Sequence, residues 1–128
     1  MSAKSPAAKG GIKPGTSVAI LNGVPEIVAA LGLPSDVRFV GPIDAQVVFL
    51  FVNTRAELDR HMPSAVTPLA PHAVIWVCFR KGSRAAGLDM SRNDVWAVAE
   101  RLGMRPLGLI AIDETWSAFR LRRHVGTG

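Results

Sequence analysis

Four short polar clusters in this sequence each stand directly after an apolar run: Asn22-Gly23, Asn53-Thr54-Arg55, Arg80-Lys81-Gly82-Ser83 and Asp113-Glu114-Thr115. Placed at the carboxyl ends of strands in an open α/β sheet, they would share one rim, which is where such sheets bind ligands. The chemistry of that rim is a small-anion site. Lys81 and Arg55 supply charge, Ser83 a hydroxyl donor, and the loops at Asn22, Gly23 and Asn53 backbone amides. Asp113, Glu114 and Thr115 complete the rim. Adjacent carboxylates diverge in a tight turn, so Asp113 and Glu114 do not form the close pair that acid/base chemistry needs. Asp113 suits a turn cap and Glu114 suits solvent. The plainer reading is a row of solvated loops and helix caps, with Thr54 as one cap.

Other reactive side chains are scattered. His61, His72 and His124 share no i, i+4 spacing, so the helical metal-site pattern is missing. No phosphate-binding glycine loop and no nucleophile elbow occurs. Cys78 is the only cysteine, which excludes an internal disulfide and a multi-cysteine zinc site. It sits in the apolar run Val74–Phe79 and reads as a buried small hydrophobe. Arg120, Arg122 and Arg123, with His124, could form a phosphate-binding edge. In a strand Arg120 and Arg122 share one face. Protection of an exposed strand edge is the favoured reading. The chain has no Tyr, and no aromatics interleave with these arginines in a way that would stack bases.

The elements that must position these groups follow from hydrophobic pattern. Ser17–Leu21 is a short apolar run between Pro14-Gly15 and Asn22-Gly23. Ile27, Val28 and Leu31 then fall on one helical face, stopped by Gly32 and Pro34. Val37–Val40 is a second strand. Val47–Val52 and Val74–Phe79 are continuously apolar, as expected of central parallel strands covered on both faces. Thr54 and Glu57 form a capping box for a helix carrying Leu58, Met62, Val66 and Leu69, with Pro63 predicting a kink or two short helices. Ser91 and Asp94 cap a second helix, whose stripe is Val95, Val98, Ala99 and Leu102. Leu107–Ile112 and Trp116–Arg122 read as a closing hairpin. The order of strands is expected to be 2-1-3-4-6-5. The weak step is Gly41–Gln46, six residues that must carry strand 3 to the other side of strand 1.

The chain has 128 residues, 48% of them hydrophobic and 20% charged, which fits one ordered domain. Its net charge is +5, but residues 1–13 hold three lysines and no acid, and residues 120–128 hold three arginines and no acid. The body between them is close to neutral. A general nucleic-acid or membrane reading therefore loses its footing. No apolar run approaches the length of a spanning helix, and no secretory signal pattern is present, so a soluble, cytoplasmic protein is expected.

From Asp44 onward, two thirds of the chain resembles the second half of a class I methyltransferase. The resemblance is carried by Asp44–Val52, by Leu69-Ala70-Pro71 running into Val74–Val77, and by the final hairpin. A resemblance over nearly the whole folded part is to small bacterial proteins grouped as domain-of-unknown-function family 3052. It rests on Lys13-Pro14-Gly15, Arg55-Ala56-Glu57-Leu58, Trp76-Val77 with Lys81-Gly82-Ser83, and Ala111-Ile112-Asp113-Glu114-Thr115-Trp116-Ser117. These resemblances imply a methyltransferase-like Rossmann fold and no known activity. The cofactor elements of such enzymes are a glycine-rich turn after strand 1 and an acid ending strand 2. This chain has Asn22-Gly23-Val24-Pro25 and Val40-Gly41-Pro42 at those places.

The expectation is a three-layer α/β domain over residues 14–124, with a flexible basic arm at 1–13 and a disordered tail at 125–128. It would be a non-catalytic module binding a small anionic ligand or a protein, with no cofactor and no metal. Two alternatives remain: a small enzyme acting on an anionic substrate at the rim, and a nucleic-acid accessory protein using its basic ends. A homodimer through a shared edge or helix face stays open.

Overall fold

The computed structural model describes residues 4–80 and 91–123. Strands β1 (Ser17–Leu21), β2 (Arg38–Phe39), β3 (Val47–Phe51), β4 (Val74–Arg80), β5 (Met104–Ala111) and β6 (Trp116–Arg123) form one sheet of order β2-β1-β3-β4-β6-β5. The first four are mutually parallel, and β6 runs antiparallel to both β4 and β5. This is the order expected from the sequence. All five residues of β3 are buried, as their unbroken apolar run requires of a strand covered on both sides.

Two helices cover one face. Helix α3 (Arg55–Val66) begins at Thr54, whose Oγ1 accepts the Glu57 amide at 3.1 Å. Pro63 lies inside this helix without dividing it into two. Helix α4 (Arg92–Arg101) opens on the predicted box, in which the Ser91 amide donates to Asp94 Oδ2 at 2.7 Å. The core beneath them includes Val48, Leu50, Leu58, Met62, Ile75, Val77, Val95 and Val98. At the far end of α3, Arg123 donates to the carbonyls of Val66, Thr67 and Leu69. A guanidinium there satisfies orphan carbonyls and meets the negative end of the helix dipole.

The opposite face is covered by shorter pieces, α1 (Pro6–Lys9) and α2 (Pro25–Ala30). The sequence reads residues 1–13 as a free arm, and the structure corrects this for its described part. Ser5 caps α1, the Ala7 amide donates to the Leu31 carbonyl at 2.9 Å, and Ala7 and Ile12 are buried. The reason is small size. Gly10 lies so close to the Trp76 ring that a Cβ there would overlap it. Poverty in large residues is what lets the segment seat on the sheet. The tail expected at 125–128 lies outside the described residues.

The short passage from β2 to β3 is made by a 3-10 turn, Pro42–Asp44, that crosses β1. Its exit is held by Ser17, only 3% exposed. The Ser17 amide donates to Gln46 Oε1 at 3.0 Å, and Ser17 Oγ accepts the Gln46 amide at 3.1 Å and donates to the Asp44 carbonyl at 3.2 Å. Three polar contacts around one buried serine, two of them to its hydroxyl, fix the base of the β1–β3 pair. β2 is correspondingly slight: two exposed residues at the edge of the sheet.

One reading of the arginines is overturned here. β6 lies between β4 and β5, so Arg120 and Arg122 protect no edge.

Candidate functional site

The described groups of the predicted rim follow β1, β3 and β5, and they are largely used by the fold. Asn22 follows β1 with φ 57°, a left-handed conformation that Asn tolerates better than most residues. A Cβ on Gly23 would come within 2.8 Å of Ile20 Cγ2, so the glycine serves the packing of the turn on its own strand. The Asn53 amide donates to Glu57 Oε1 at 3.3 Å, part of the cap of α3. Asp113 Oδ1 accepts the amides of Thr115 and Trp116 at 2.8 and 2.7 Å, which closes the β5–β6 turn. Glu114 and Thr115 are exposed on that turn. Lys81 and Ser83 lie outside the described residues.

Arg55 is committed as well. Its Nε donates to Asp59 at 3.0 Å and its Nη1 to Asp94 at 2.9 Å, tying the first turns of α3 and α4 together. Hydrogen bonding to Asp59 raises its pKa above the usual value, against partial desolvation. Partial burial works to raise the Asp94 carboxyl, but hydrogen bonds from Ser91 and Arg55 outweigh it and hold the group below the ordinary carboxylate range. Arg101 joins at 3.6 Å from Asp59. A groove of about 370 Å³ beside this network is lined by Arg55, Asp59, Pro63, Val98, Arg101 and Leu102. Its charges are internally compensated by these ion pairs.

The concavity at the switch in strand order is elsewhere. A cleft of about 240 Å³ opens between the ends of β1 and β3 and is lined by Leu21, Asn22, Pro42, Leu50, His61, Ser64 and Ala65. Of these only Asn22 was legible as a site residue. Pro42 arrives through the crossing turn. His61, Ser64 and Ala65 occupy one side of α3, and their positions beside the Leu58–Met62 stripe were the available signal. The floor is apolar and the polar groups are Asn22, His61 and Ser64. This is the composition of a small-ligand pocket, in a volume just below the usual range. Among the described residues no cluster of potential ligands could hold a metal, and no helix is long and apolar enough to cross a membrane.

No protein-family model matches the chain, so the resemblance to family 3052 rests on its motifs alone, and no curated protein matches either. Solved structures do match. The Bacillus subtilis M1A22 tRNA methyltransferase TrmK aligns with TM-score 0.57 at 8% identity, over 97% of this chain and 67% of its own. A TehB-like SAM-dependent methyltransferase from Corynebacterium glutamicum aligns with TM-score 0.54 at 9% identity, over 94% and 86%. The N,N-8-amino-8-demethyl-D-riboflavin dimethyltransferase RosA from Streptomyces davawensis aligns with TM-score 0.55 at 13% identity, over 85% of this chain and 50% of its own. The chain therefore has a methyltransferase-like Rossmann fold and spans only half of RosA.

Proposed function

We propose that this chain is a non-catalytic module on a methyltransferase-like scaffold, binding a small ligand in the cleft between the ends of β1 and β3. The observation that carries the reading is the cleft itself. It lies at the switch point, where open α/β sheets take ligands, and it is walled by the turn that replaces a longer β2–β3 connection.

The residues do not fit S-adenosylmethionine in the manner of dinucleotide-type sites. The single glycine after β1 is occupied by packing against Ile20. β2 ends at Phe39 and is followed by Val40-Gly41-Pro42, which offers no carboxylate to ribose hydroxyls. The alternative of an enzyme acting at the rim loses Arg55 to its ion pairs.

A thermal-shift screen of the full chain against S-adenosylmethionine, nucleotides and small carboxylic acids tests the proposal. A cleft ligand at 100 times its Kd should stabilise the protein by about 2.7 kcal/mol. The shift should disappear in H61A/S64A. Methyl transfer by the purified protein, abolished in N22A, would overturn the non-catalytic reading. A shift that survives H61A/S64A would overturn the location.

A further inference from the structure

With edge protection removed, Arg120 and Arg122 need another reason to exist. Cross-strand register puts Arg122 opposite Val74 on one side and Arg105 on the other. Arg120 lies opposite Trp76 and Gly108. Directly paired residues share a sheet face, so three arginines cluster on the face that α1 and α2 cover. No carboxylate pairs with any of them among the described residues. Arg105 and Arg122 are like charges directly opposite, an arrangement that destabilises a sheet.

The two central arginines are also incompletely satisfied. The Nε atoms of Arg120 and Arg122 are buried and have no hydrogen-bond partner. The Arg120 guanidinium stands 6.0 Å from the centre of the Trp76 ring, at the outer reach of a cation–π contact. Space for it is made by a β-bulge at Pro106/Gly108. Gly108 has φ 139°, and a Cβ there would lie 3.4 Å from Arg120 Nη2. Val74 and Trp76, the cross-strand neighbours of these arginines, line a hollow of about 270 Å³ that also takes in Gly11, Lys13, Thr16 and Gln46. None of the three arginines lines this hollow; the seated N-terminal segment brings Lys13 to it, and that segment contains no acid.

We propose that this face of the β5–β6 hairpin is a phosphoryl-binding site, at the sheet end opposite the cleft. Arg120 and Arg122 are its forked donors and Lys13 is its rim charge. Guanidinium groups match phosphate oxygens in geometry as well as charge, and an oxyanion held by the terminal nitrogens of these arginines would relieve the repulsion between Arg105 and Arg122. The ligand is a small phosphate compound.

The test is calorimetric titration of the full chain with pyrophosphate at low salt. R120Q/R122Q should weaken binding at least tenfold without lowering Tm. R38Q/R60Q removes the same charge from exposed positions and should leave affinity within twofold. R122Q alone serves if the double variant does not fold, and should weaken binding severalfold. Absence of binding, or equal losses in the two double variants, would overturn the site. Binding of a short single-stranded oligonucleotide without binding of pyrophosphate would overturn the small-ligand assignment in favour of a nucleic-acid surface.

Discussion

The two faces of the sheet are built by different means. On one, α3 and α4 bring capping boxes, apolar stripes and a clamp of Arg55 between Asp59 and Asp94. On the other, a four-residue and a six-residue helix do the work, and Trp76 fills the space that longer helices would occupy. Trp76 packs against Phe49 at 5.0 Å between ring centroids, lies under Gly10 and carries Arg120 on its remaining side. The first face holds by many modest contacts. The second depends on one large side chain and a close-fitting segment. The two should therefore fail differently.

Trp76→Ala is the sharpest way to separate them. A buried tryptophan lost to alanine costs about 3–5 kcal/mol. Chemical denaturation should show it to exceed Leu58→Ala under α3, and an equal or larger loss at Leu58 would break the contrast. Gly10→Val comes next. Overlap with the ring should cost about 1–3 kcal/mol, and trypsin should then cut at Lys9 and Lys13 faster than in the wild type. Unchanged cleavage would mean that the segment does not need its close fit.

Asp94→Asn probes the helical face and should cost about 1–2 kcal/mol at pH 7, the range of a cap with a charged hydrogen bond. The folded pKa of Asp94 is depressed, so its contribution is complete above the unfolded value and is lost as pH falls through the folded one. The gap between variant and wild type should close in acid, and a gap independent of pH would refute the ionic part. The smallest effect belongs to Cys78. Burial pushes its thiol pKa up, and its Sγ reaches only the Trp76 carbonyl. A thiol reagent should label native protein no faster than global unfolding allows.

The same contrast explains what could be read beforehand. Val47–Phe51 and Val74–Phe79 declare central strands by unbroken apolarity, and Thr54/Glu57 and Ser91/Asp94 declare helix starts by local chemistry. Local signals of that kind survive in a single sequence. Helix α1 had only Ser5-Pro6, a cap and a first-turn proline, amid small residues that look like a linker. The candidate cleft was legible at Asn22 alone because Pro42 and His61 reach it through a crossing turn and a helix orientation, both tertiary facts. Arg55 reads as a free cation until Asp94, 39 residues later, is placed beside it. The strand order was legible, and it already put β6 inside the sheet; the edge-protection reading failed because it treated the last strand in sequence as the last in space.

The bulge at Pro106 has a consequence for behaviour in concentrated solution. β5 is one border of the sheet, and there the backbone lacks a proline N–H and shifts register within three residues. The other border, β2, is two residues long. Neither border offers a straight run of free amides to a neighbouring molecule, so fibril-like stacking through the backbone is disfavoured at both. Among the described residues Phe39 and Ile43, each about two thirds exposed, are the most exposed large apolar side chains, and contact between copies is expected to start there. Replacing those two with serine is the direct route to raising the solubility limit.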